Sequence, residues 1–352
     1  MEDIYVHQLS PFLVHFSGMW GIRWYGLSYL TGFFFAWLSV WYMAKKGTIK
    51  MTPDDAGDFV MYIAIGTLVG GRLGYVLFYG PHLLWEFSDS LPFWGVLEVH
   101  KGGMASHGGI AGVIAAAVLF ARKVKAPGRH IIDLCVFGGS IGFFFGRIAN
   151  FINGELYGRI APEGTSWAVK FPSEIFSWGI KEKANLEALA PAVEKLGRVS
   201  SDEWLSWVNR FDGASQQAMA QVKELLVAAT QNGNQEVIAA LGPALNARYP
   251  SQLIQAGLEG FAVFAILAIL WMKPWKPGVI GCMFGFLYPI ARIIGEQYRL
   301  PDAHIGYELL GLTRGQWLSV AMIGMVCVYL WWCLRQDDPP MGGWSKPNDS
   351  RD

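Results

Sequence analysis

Seven segments of about 20 mainly apolar residues constrain the fold of this chain more than any other feature of its sequence. A helix needs roughly 20 such residues to cross about 30 Å of hydrocarbon. The segments lie at 21–44, 57–80, 103–121, 131–152, 252–272, 279–297 and 316–334. Only 16% of the residues are charged, whereas soluble domains average about 25%. The sequence therefore predicts an all-α integral membrane protein with seven transmembrane helices.

The positions of the basic residues predict the orientation of these helices. Loops on the cytoplasmic side of membrane proteins are enriched in lysine and arginine. One set of loops carries most of them: Lys45, Lys46, Lys50, Arg122, Lys123, Lys125, Arg129, Lys273, Lys276 and Arg335. The opposite short loops hold little beyond Lys101, Arg299 and Arg314. We expect a periplasmic N-terminus and a cytoplasmic C-terminus.

Composition divides the chain into four regions. Residues 1–158 carry the first four helices and residues 250–335 the last three. Between them, residues 159–249 are polar, contain several prolines and repeat apolar residues at helical spacing, which predicts a periplasmic domain with two or three amphipathic helices. Residues 336–352 are rich in aspartate and proline, which predicts a disordered cytoplasmic tail.

Glycines and cysteines in the apolar segments are typical of packing. Glycines recur at four-residue spacing, which lets membrane helices approach closely. They are Gly66, Gly70 and Gly74, then Gly108 and Gly112, then Gly138, Gly142 and Gly146. Gly102-Gly103 and Gly108-Gly109 flank His107, and we expect an irregular or close-packed backbone there. The four cysteines lie in apolar runs without metal-ligand spacing, so no metal or other cofactor is indicated.

Ionisable groups inside these segments mark a candidate site, because they are costly in a bilayer. Arg147, Asn150 and Asn153 share one helix face, and Glu155 follows them. A second group consists of Arg292, Glu296, Tyr288 and Arg299, one helical turn apart, and His107 opens the third segment. Arg72 lies alone in the second segment.

Two interpretations fit these polar residues. They are ion pairs that join helices, Arg292 with Glu296 being the obvious case, or they bind an anion. Cationic donors exceed the two carboxylates that we counted, which favours an anion, and a lipid phosphate suits guanidinium groups. Lysine plus arginine equals aspartate plus glutamate at 28 each, so nothing in the overall charge indicates a nucleic-acid partner. A histidine, which exchanges protons near neutral pH, favours chemistry on the lipid.

The run Gly146-Arg147-x-x-Asn150-Phe151-x-Asn153-Gly154-Glu155-x-x-Gly158 resembles the signature of the prolipoprotein diacylglyceryl transferases. Further blocks agree: Trp24-Tyr25-Gly26-Leu27, Gly71-Arg72-Leu73-Gly74-Tyr75, His107-Gly108-Gly109, Pro250-Ser251-Gln252-Leu253 and Arg292-Ile293-Ile294-x-Glu296-x-x-Arg299-x-Pro301-Asp302. The resemblance implies a multi-pass enzyme of the bacterial inner membrane. Its substrates would be phosphatidylglycerol and the lipobox cysteine of a prolipoprotein, and its products a thioether and glycerol 1-phosphate.

The resemblance also implies roles for individual residues. Tyr25, His107, Arg147 and Arg292 would be catalytic. Arg147 would also bind substrate, together with Asn150, Asn153, Glu155, Gly158, Tyr288, Glu296 and Arg299. Where the family usually has His-Pro-Ser-Gln-Leu-Tyr-Glu, this chain has Tyr249-Pro250-Ser251-Gln252-Leu253-Ile254-Gln255, so its histidine and glutamate are missing.

Several alternatives remain open from the residues alone. His107 is a general base or a hydrogen-bonding residue that holds lipid. Asn153 binds the headgroup or caps a helix, and Tyr25 binds the headgroup or anchors at the interface. A lipid-binding transporter or scaffold is the alternative function, although no internal repeat of the kind common in transporters is evident.

Overall fold

The computed structural model describes residues 4–17, 20–89, 91–99, 102–300 and 311–345, and this part of the chain is mainly helical. Lys101, the Pro301-Asp302 end of the last sequence block and residues 346–352 lie outside the described residues. Elements that precede the middle of the chain are the strands β1 (Phe12–Ser17) and β2 (Trp20–Arg23) and the helices α1 (Trp24–Lys46), α2 (Asp55–Phe78), α3 (Ser106–Val124) and α4 (Gly128–Ile152).

The region predicted to be a periplasmic helical domain contains five α-helices rather than two or three. They are α5 (Lys183–Glu187), α6 (Ala190–Lys195), α7 (Ser201–Arg210), α8 (Gly213–Gln231) and α9 (Gln235–Leu241), flanked by the short strands β3 (Val169–Lys170) and β4 (Ala247–Arg248). Leu186 and Val193, which we expected on one helix, are buried on α5 and α6. Pro191 lies in the first turn of α6, a position that starts a new helix.

The last part of the chain is again apolar and helical. It comprises α10 (Ser251–Gln255), a π-helical stretch (Ala256–Ala262), α11 (Val263–Leu270), α12 (Val279–Gly295) and α13 (Arg314–Leu334). Within the described ranges, six helical segments are long and apolar enough to cross a membrane, and α12 is a shorter apolar helix. The chain is therefore a multi-pass membrane protein by the length and composition of its helices. Seven spans, with α12 as the sixth, remain a prediction.

Residue contacts divide the chain into two compact units, and neither follows the regions that composition suggested. Unit 1 consists of Met1–Ser28, Gly146–Gly257 and Ile293–Gly315. Unit 2 consists of Tyr29–Phe145, Leu258–Arg292 and Gln316–Asp352.

Unit 1 is centred on the small helices α5 to α9. Their inward faces form one apolar core, in which Trp204, Leu186 and Leu226 are fully buried. Beside this core, β3 pairs with β4, and a parallel bridge joins Val6 to Lys170, so the N-terminal segment extends this small sheet. At the sheet, Glu174 is buried completely and forms an ion pair with Arg248. This pair satisfies a carboxylate that would be costly to bury alone.

Unit 2 depends on a close contact between α2 and α3 that glycine makes possible. A Cβ added to Gly112 would lie 1.9 Å from the Gly66 carbonyl oxygen, and one added to Gly108 would lie 2.3 Å from the Gly70 oxygen. These helices therefore touch through their backbones, as the four-residue glycine spacing predicted. A second contact of this kind brings Gly260 against the backbone of Phe144.

The segment from Gln336 to Ser345, which we predicted to be disordered, is ordered in unit 2. Met341 forms backbone hydrogen bonds with Trp275, and the Gly342 amide donates to the Thr48 carbonyl at 3.0 Å. The Trp344 indole donates to the Ala268 carbonyl at 2.7 Å, and its ring packs against Phe137. The prediction of disorder failed here because it weighed the polar residues and overlooked the apolar anchors among them.

We expect Gly112→Ala to destabilise the protein, because the new methyl group would collide with the Gly66 carbonyl of the neighbouring helix. Overpacking of this kind costs about 1–3 kcal/mol, so the thermal unfolding temperature in detergent should fall. Gly139→Ala is the matched control, because a Cβ at this α4 glycine meets no atom within 4 Å. Equal unfolding temperatures for the two variants would contradict the proposed backbone contact.

Candidate active site

The end of α4 folds back on itself and carries the signature residues with it. Helix α4 ends at Ile152, and Gly154 adopts a positive φ of 67°. The Gly154 amide donates to the Phe151 carbonyl at 2.9 Å, and the Glu155 amide donates to the Asn150 carbonyl at 3.1 Å. These two bonds define a Schellman motif, in which glycine is preferred for the left-handed position. The turn thus returns Glu155 to the level of Asn150.

Tyr25 joins the two ends of this turn. Its hydroxyl group is within hydrogen-bond distance of both Asn150 Oδ1 and Glu155 Oε1. A phenol has one proton to donate, so Tyr25 donates to only one of these two groups. When it donates to Glu155, the Asn150 side-chain amide is flipped so that its N–H donates to the phenol oxygen. Asn150 is 6% exposed. Tyr25 thus forms one partly buried polar cluster with residues 125 and 130 positions away in the sequence.

The Ser251-Gln252 pair holds the same turn from another element. Ser251 Oγ donates to the Leu156 carbonyl at 3.0 Å, and Gln252 Nε2 donates to the Glu155 carbonyl at 2.6 Å. Ser173 Oγ donates to the Gly154 carbonyl. Three consecutive carbonyl groups of the turn thus accept hydrogen bonds from side chains. These bonds fix the backbone from which the Glu155 side chain extends.

Gly158 lies where two segments approach the backbone from both sides. Its amide donates to the Tyr249 carbonyl at 2.9 Å, and a bridge connects it to Arg299. A Cβ at Gly158 would lie 2.5 Å from both the Tyr249 and Tyr298 carbonyl oxygens. Arg248, paired with Glu174, also donates to the Gly158 carbonyl at 3.2 Å. Only glycine fits this position without moving the surrounding chain.

Two arginines of unit 1, Arg159 and Arg299, lie next to Gly158. Arg299 Nη1 pairs with Glu296 Oε1 at 3.3 Å, and Glu296 is 4% exposed. Arg159, which sequence analysis did not select, donates through Nε to the Arg299 carbonyl at 2.9 Å. Its position directly after Gly158, the last glycine of the signature run, was the available signal. Arg147 is half-buried on α4 and shares the helix face of Asn150.

His7 packs against the same turn from the N-terminal segment. Its ring stacks on Phe171 at a centroid distance of 5.4 Å and meets Phe151 edge-on at 5.3 Å. The imidazole donates to the Phe151 carbonyl, and its Nδ1 lies near the Cβ direction of Gly154. Burial lowers the pKa of His7 from 6.5 to about 4, because the charged form loses its hydration.

The other predicted site residues belong to unit 2. His107 is exposed in the first turn of α3, and the structure gives its imidazole no hydrogen bond or ion pair with another described residue. Tyr288 stacks between Phe143 and Phe284 at centroid distances of 4.8 and 5.6 Å. Arg292 Nη1 lies 3.7 Å from Glu259 Oε1.

Glu259 corrects the earlier comparison of cations with carboxylates. We counted only Glu155 and Glu296, yet Glu259 is a completely buried carboxylate within the π-helical stretch, next to Arg292. The signal was a single acidic residue inside an otherwise apolar segment, which marks a functional site by default. The argument for an excess of cations is therefore weaker than it was from the sequence.

Several buried amide atoms in unit 1 lack a partner among the described residues. They are Asn153 Oδ1, Gln252 Oε1, and both Oε1 and Nε2 of Gln255. Gln252 and Gln255 are three residues apart on α10 and neither is exposed to solvent. A buried amide without a partner is costly, so these atoms identify places where a polar ligand group or water would be favourable. No cluster of metal-ligating side chains occurs among the described residues.

Comparisons with known proteins give a consistent result. The family model described as prolipoprotein diacylglyceryl transferase matches residues 11–332. A Bdellovibrio bacteriovorus protein named phosphatidylglycerol–prolipoprotein diacylglyceryl transferase is 47% identical over 345 residues, covering 97% of each chain. Proteins of the same name from Rhodospirillum centenum and Neisseria gonorrhoeae are each 34% identical. The match to the Rhodospirillum centenum protein covers 91% of this chain and 89% of that protein. The match to the Neisseria gonorrhoeae protein covers 90% of this chain and 93% of that protein.

We expect Gly158→Ala to lower activity about tenfold or more, since displacing a site by about 1 Å can cost on the order of 10² in rate. The added methyl group would push apart the segments that carry Tyr249 and Tyr298. Gly213→Ala, at a glycine of α8 with no atom within 4 Å of the added Cβ, is the control. Comparable turnover by both variants in phosphatidylglycerol-containing membranes would refute this explanation of Gly158.

His7 should make stability depend on pH. Below pH 6.5 the unfolded chain binds a proton that the folded chain takes up only near pH 4. The free energy of unfolding should therefore decrease as pH falls through this window, by up to about 3 kcal/mol. Thermal unfolding between pH 7 and 4.5 should show a smaller decrease for His7→Leu than for the unsubstituted protein. His82→Gln, which removes an exposed histidine, should keep the full decrease, and an unchanged slope in His7→Leu would exclude His7 as its source.

Proposed function

Because the chain belongs to the prolipoprotein diacylglyceryl transferase family, we propose that it transfers the diacylglyceryl group of phosphatidylglycerol to the lipobox cysteine of a prolipoprotein. The product is a thioether, and glycerol 1-phosphate leaves. The enzyme is a transferase of the bacterial inner membrane. Seven spans with a periplasmic N-terminus are part of this proposal, and they would put the signature turn at the periplasmic face, where a secreted substrate arrives.

The contact of Tyr25 with Asn150 and Glu155 is the observation that carries this proposal. It unites two of the sequence blocks on which the family resemblance rests. A Schellman turn, two side-chain clamps from α10 and a glycine that tolerates no Cβ hold this cluster in place. Such preorganisation is expected of a site that must orient a reacting group.

The glycerol headgroup is held by hydrogen bonds to neutral groups in unit 1. Asn153 Oδ1, Gln252 Oε1 and the Gln255 amide are buried and have no partner in the described chain. Hydroxyl groups donate and accept hydrogen bonds, so they satisfy amide oxygens and amide N–H groups alike. An Asn153 that binds the headgroup is also compatible with its place at the helix end.

The reaction is a substitution at the glyceryl carbon that bears the phosphate ester. The thiol sulfur forms the new C–S bond, the C–O bond breaks, and its electron pair leaves with the phosphate. Arg147 is assigned to this phosphate, because a guanidinium group stabilises the charge that develops there, and Glu155 of the same signature run orients it. The family resemblance implies a catalytic role for Arg292 as well, and Glu259, whose Oε1 lies 3.7 Å from Arg292 Nη1, orients that guanidinium group. Glu296 orients Arg299, with which it pairs.

His107 is the candidate acceptor of the thiol proton. A free thiol has a pKa of about 8.5, so a base increases the fraction that reacts as thiolate. The exposed imidazole of His107 has no hydrogen bond or ion pair with another described residue, which leaves it available to an incoming thiol. Tyr25 orients the headgroup through Glu155 and Asn150.

The test measures glycerol 1-phosphate released from labelled phosphatidylglycerol in the presence of a lipobox peptide. We expect Arg147→Gln and Tyr25→Phe each to lower turnover by about 10²-fold, the usual cost of losing one stabilising donor. Arg147→Lys should lose nearly as much, because an ammonium cannot donate in a bidentate way. Exposed Arg122→Gln is the control. Wild-type turnover by both Arg147 variants would remove this arginine from the phosphate site.

The same assay separates the enzyme from the alternative, a lipid-binding transporter or scaffold. A transporter moves phosphatidylglycerol unchanged, so it releases no glycerol 1-phosphate and attaches no lipid to the peptide. If His107 is the base, His107→Gln should lower turnover at neutral pH. Turnover of this variant should recover as the pH rises towards the pKa of the free thiol. Full activity of His107→Gln at neutral pH would assign His107 a binding role instead.

A further inference from the structure

Arg72 is a buried cation of unit 2 to which sequence analysis assigned no function. It lies in the middle of α2 at 6% exposure. Its nitrogens donate four hydrogen bonds, all to backbone carbonyl groups. They are Nε to Val96 at 2.7 Å, Nη1 to Gly102 at 2.7 Å and Gly103 at 3.0 Å, and Nη2 to Gly95 at 2.6 Å.

These contacts exclude the phosphate role that an intramembrane arginine first suggests. Every nitrogen of the guanidinium group already donates to the protein, and the group also lies over the Tyr75 ring at 5.6 Å. A phosphate would have to displace four carbonyl groups, of which the Gly95 carbonyl alone accepts from a second donor among the described residues, the Glu98 amide at 3.3 Å. Arg72 therefore acts on the chain itself and not on lipid.

The four carbonyl groups belong to both ends of the segment that leads into α3. One pair is the carbonyl groups of Gly95 and Val96. The other pair is those of Gly102 and Gly103, whose φ angles are 88° and 80°. The Ala105 amide then donates to the Gly71 carbonyl at 2.9 Å, immediately beside Arg72. His107 follows two residues later, and Gly108 touches the backbone of Gly70 and Gly74. One guanidinium group and one helix contact thus determine where α3 begins.

We propose that Arg72 is a positioning residue that fixes the start of α3 and so sets the location of His107. This inference rests on the role of His107 given under the proposed function. Only arginine has the geometry for it. The carbonyl groups bind three different nitrogens of the planar guanidinium group of Arg72. A lysine carries all three of its donors on one nitrogen, so it cannot reach all of these carbonyl groups.

The experiment compares Arg72→Lys and Arg72→Gln with Arg122→Lys, which changes an exposed arginine in the last turn of α3. Amide hydrogen exchange of peptides covering residues 91–109 reports on the segment directly, whatever His107 does. Turnover is measured against phosphatidylglycerol concentration to separate kcat from KM. Both Arg72 variants should exchange faster in this segment and lose on the order of 10²-fold in kcat, as expected when a reacting group is displaced by about 1 Å. KM for phosphatidylglycerol should stay within about twofold of wild type.

Three results would overturn the inference. Unchanged exchange would mean that Arg72 does not hold the segment. A raised KM with unchanged kcat, rescued in Arg72→Lys, would mean that Arg72 binds the lipid headgroup. Faster exchange with unchanged kcat would mean that the segment does not position a catalytic group.

His107→Gln, measured in parallel, separates these results from failure of the proposed function. If His107→Gln is inactive and Arg72→Lys is fully active, the Arg72 inference fails and the proposed function stands. If both variants are fully active, His107 is not the general base, and the Arg72 inference, which rests on that role, fails with it. Gly103→Ala, whose Cβ would lie 2.8 Å from Arg72 Nη1 and 2.6 Å from the Tyr75 ring, should reproduce the loss in kcat with the arginine intact.

Discussion

Backbone carbonyl groups without a helical partner are the constraint around which this structure is arranged. Such groups are costly wherever water is scarce, and here basic side chains satisfy many of them. Arg72 binds four carbonyl groups before α3, and Arg159 and Arg248 bind the carbonyls of Arg299 and Gly158. Lys276 binds the carbonyls of Leu334 and Gln336 after α13 in the same way. Several irregular segments of the described chain are thus organised by cations that donate to the protein backbone.

This use of cations separates the arginines into two groups that the sequence did not distinguish. Arg72 and Arg248 are buried and donate to backbone groups, and Arg248 is also neutralised by Glu174. Arg147 and Arg292 are half-buried and lie on the apolar helices α4 and α12. A phosphate needs donors that remain accessible, so the second group is the better source of them. Counting intramembrane arginines therefore overestimates a phosphate site, and the exposure of each guanidinium group is the more informative quantity.

The parts that could be predicted from the sequence are those set by one-dimensional patterns. The apolar segments located the six membrane-length helical segments of the described chain and the shorter α12 to within a few residues, and the glycine spacing located the contact of α2 with α3. The capping signal Asn153-Gly154 indicated the end of α4, since glycine favours the left-handed position. The role of Arg72 could not be predicted, because its partners are backbone groups that have no sequence signature. The anchored segment after Gln336 was missed because Trp344 is a single apolar residue in polar surroundings.

Gln255 shows how a departure from the family pattern acquires a physical meaning. A carboxylate at this position, where solvent has no access, would have to be neutralised by a cation or a proton. An amide carries no charge and instead requires one donor and one acceptor. In this chain neither amide atom of Gln255 has a partner among the described residues, and the neighbouring Gln252 spends its N–H on the Glu155 carbonyl while its oxygen has none. A hydroxyl group meets both needs of an amide at once. The substitution therefore removes a buried charge and leaves two buried amide atoms that need neutral hydrogen-bonding partners.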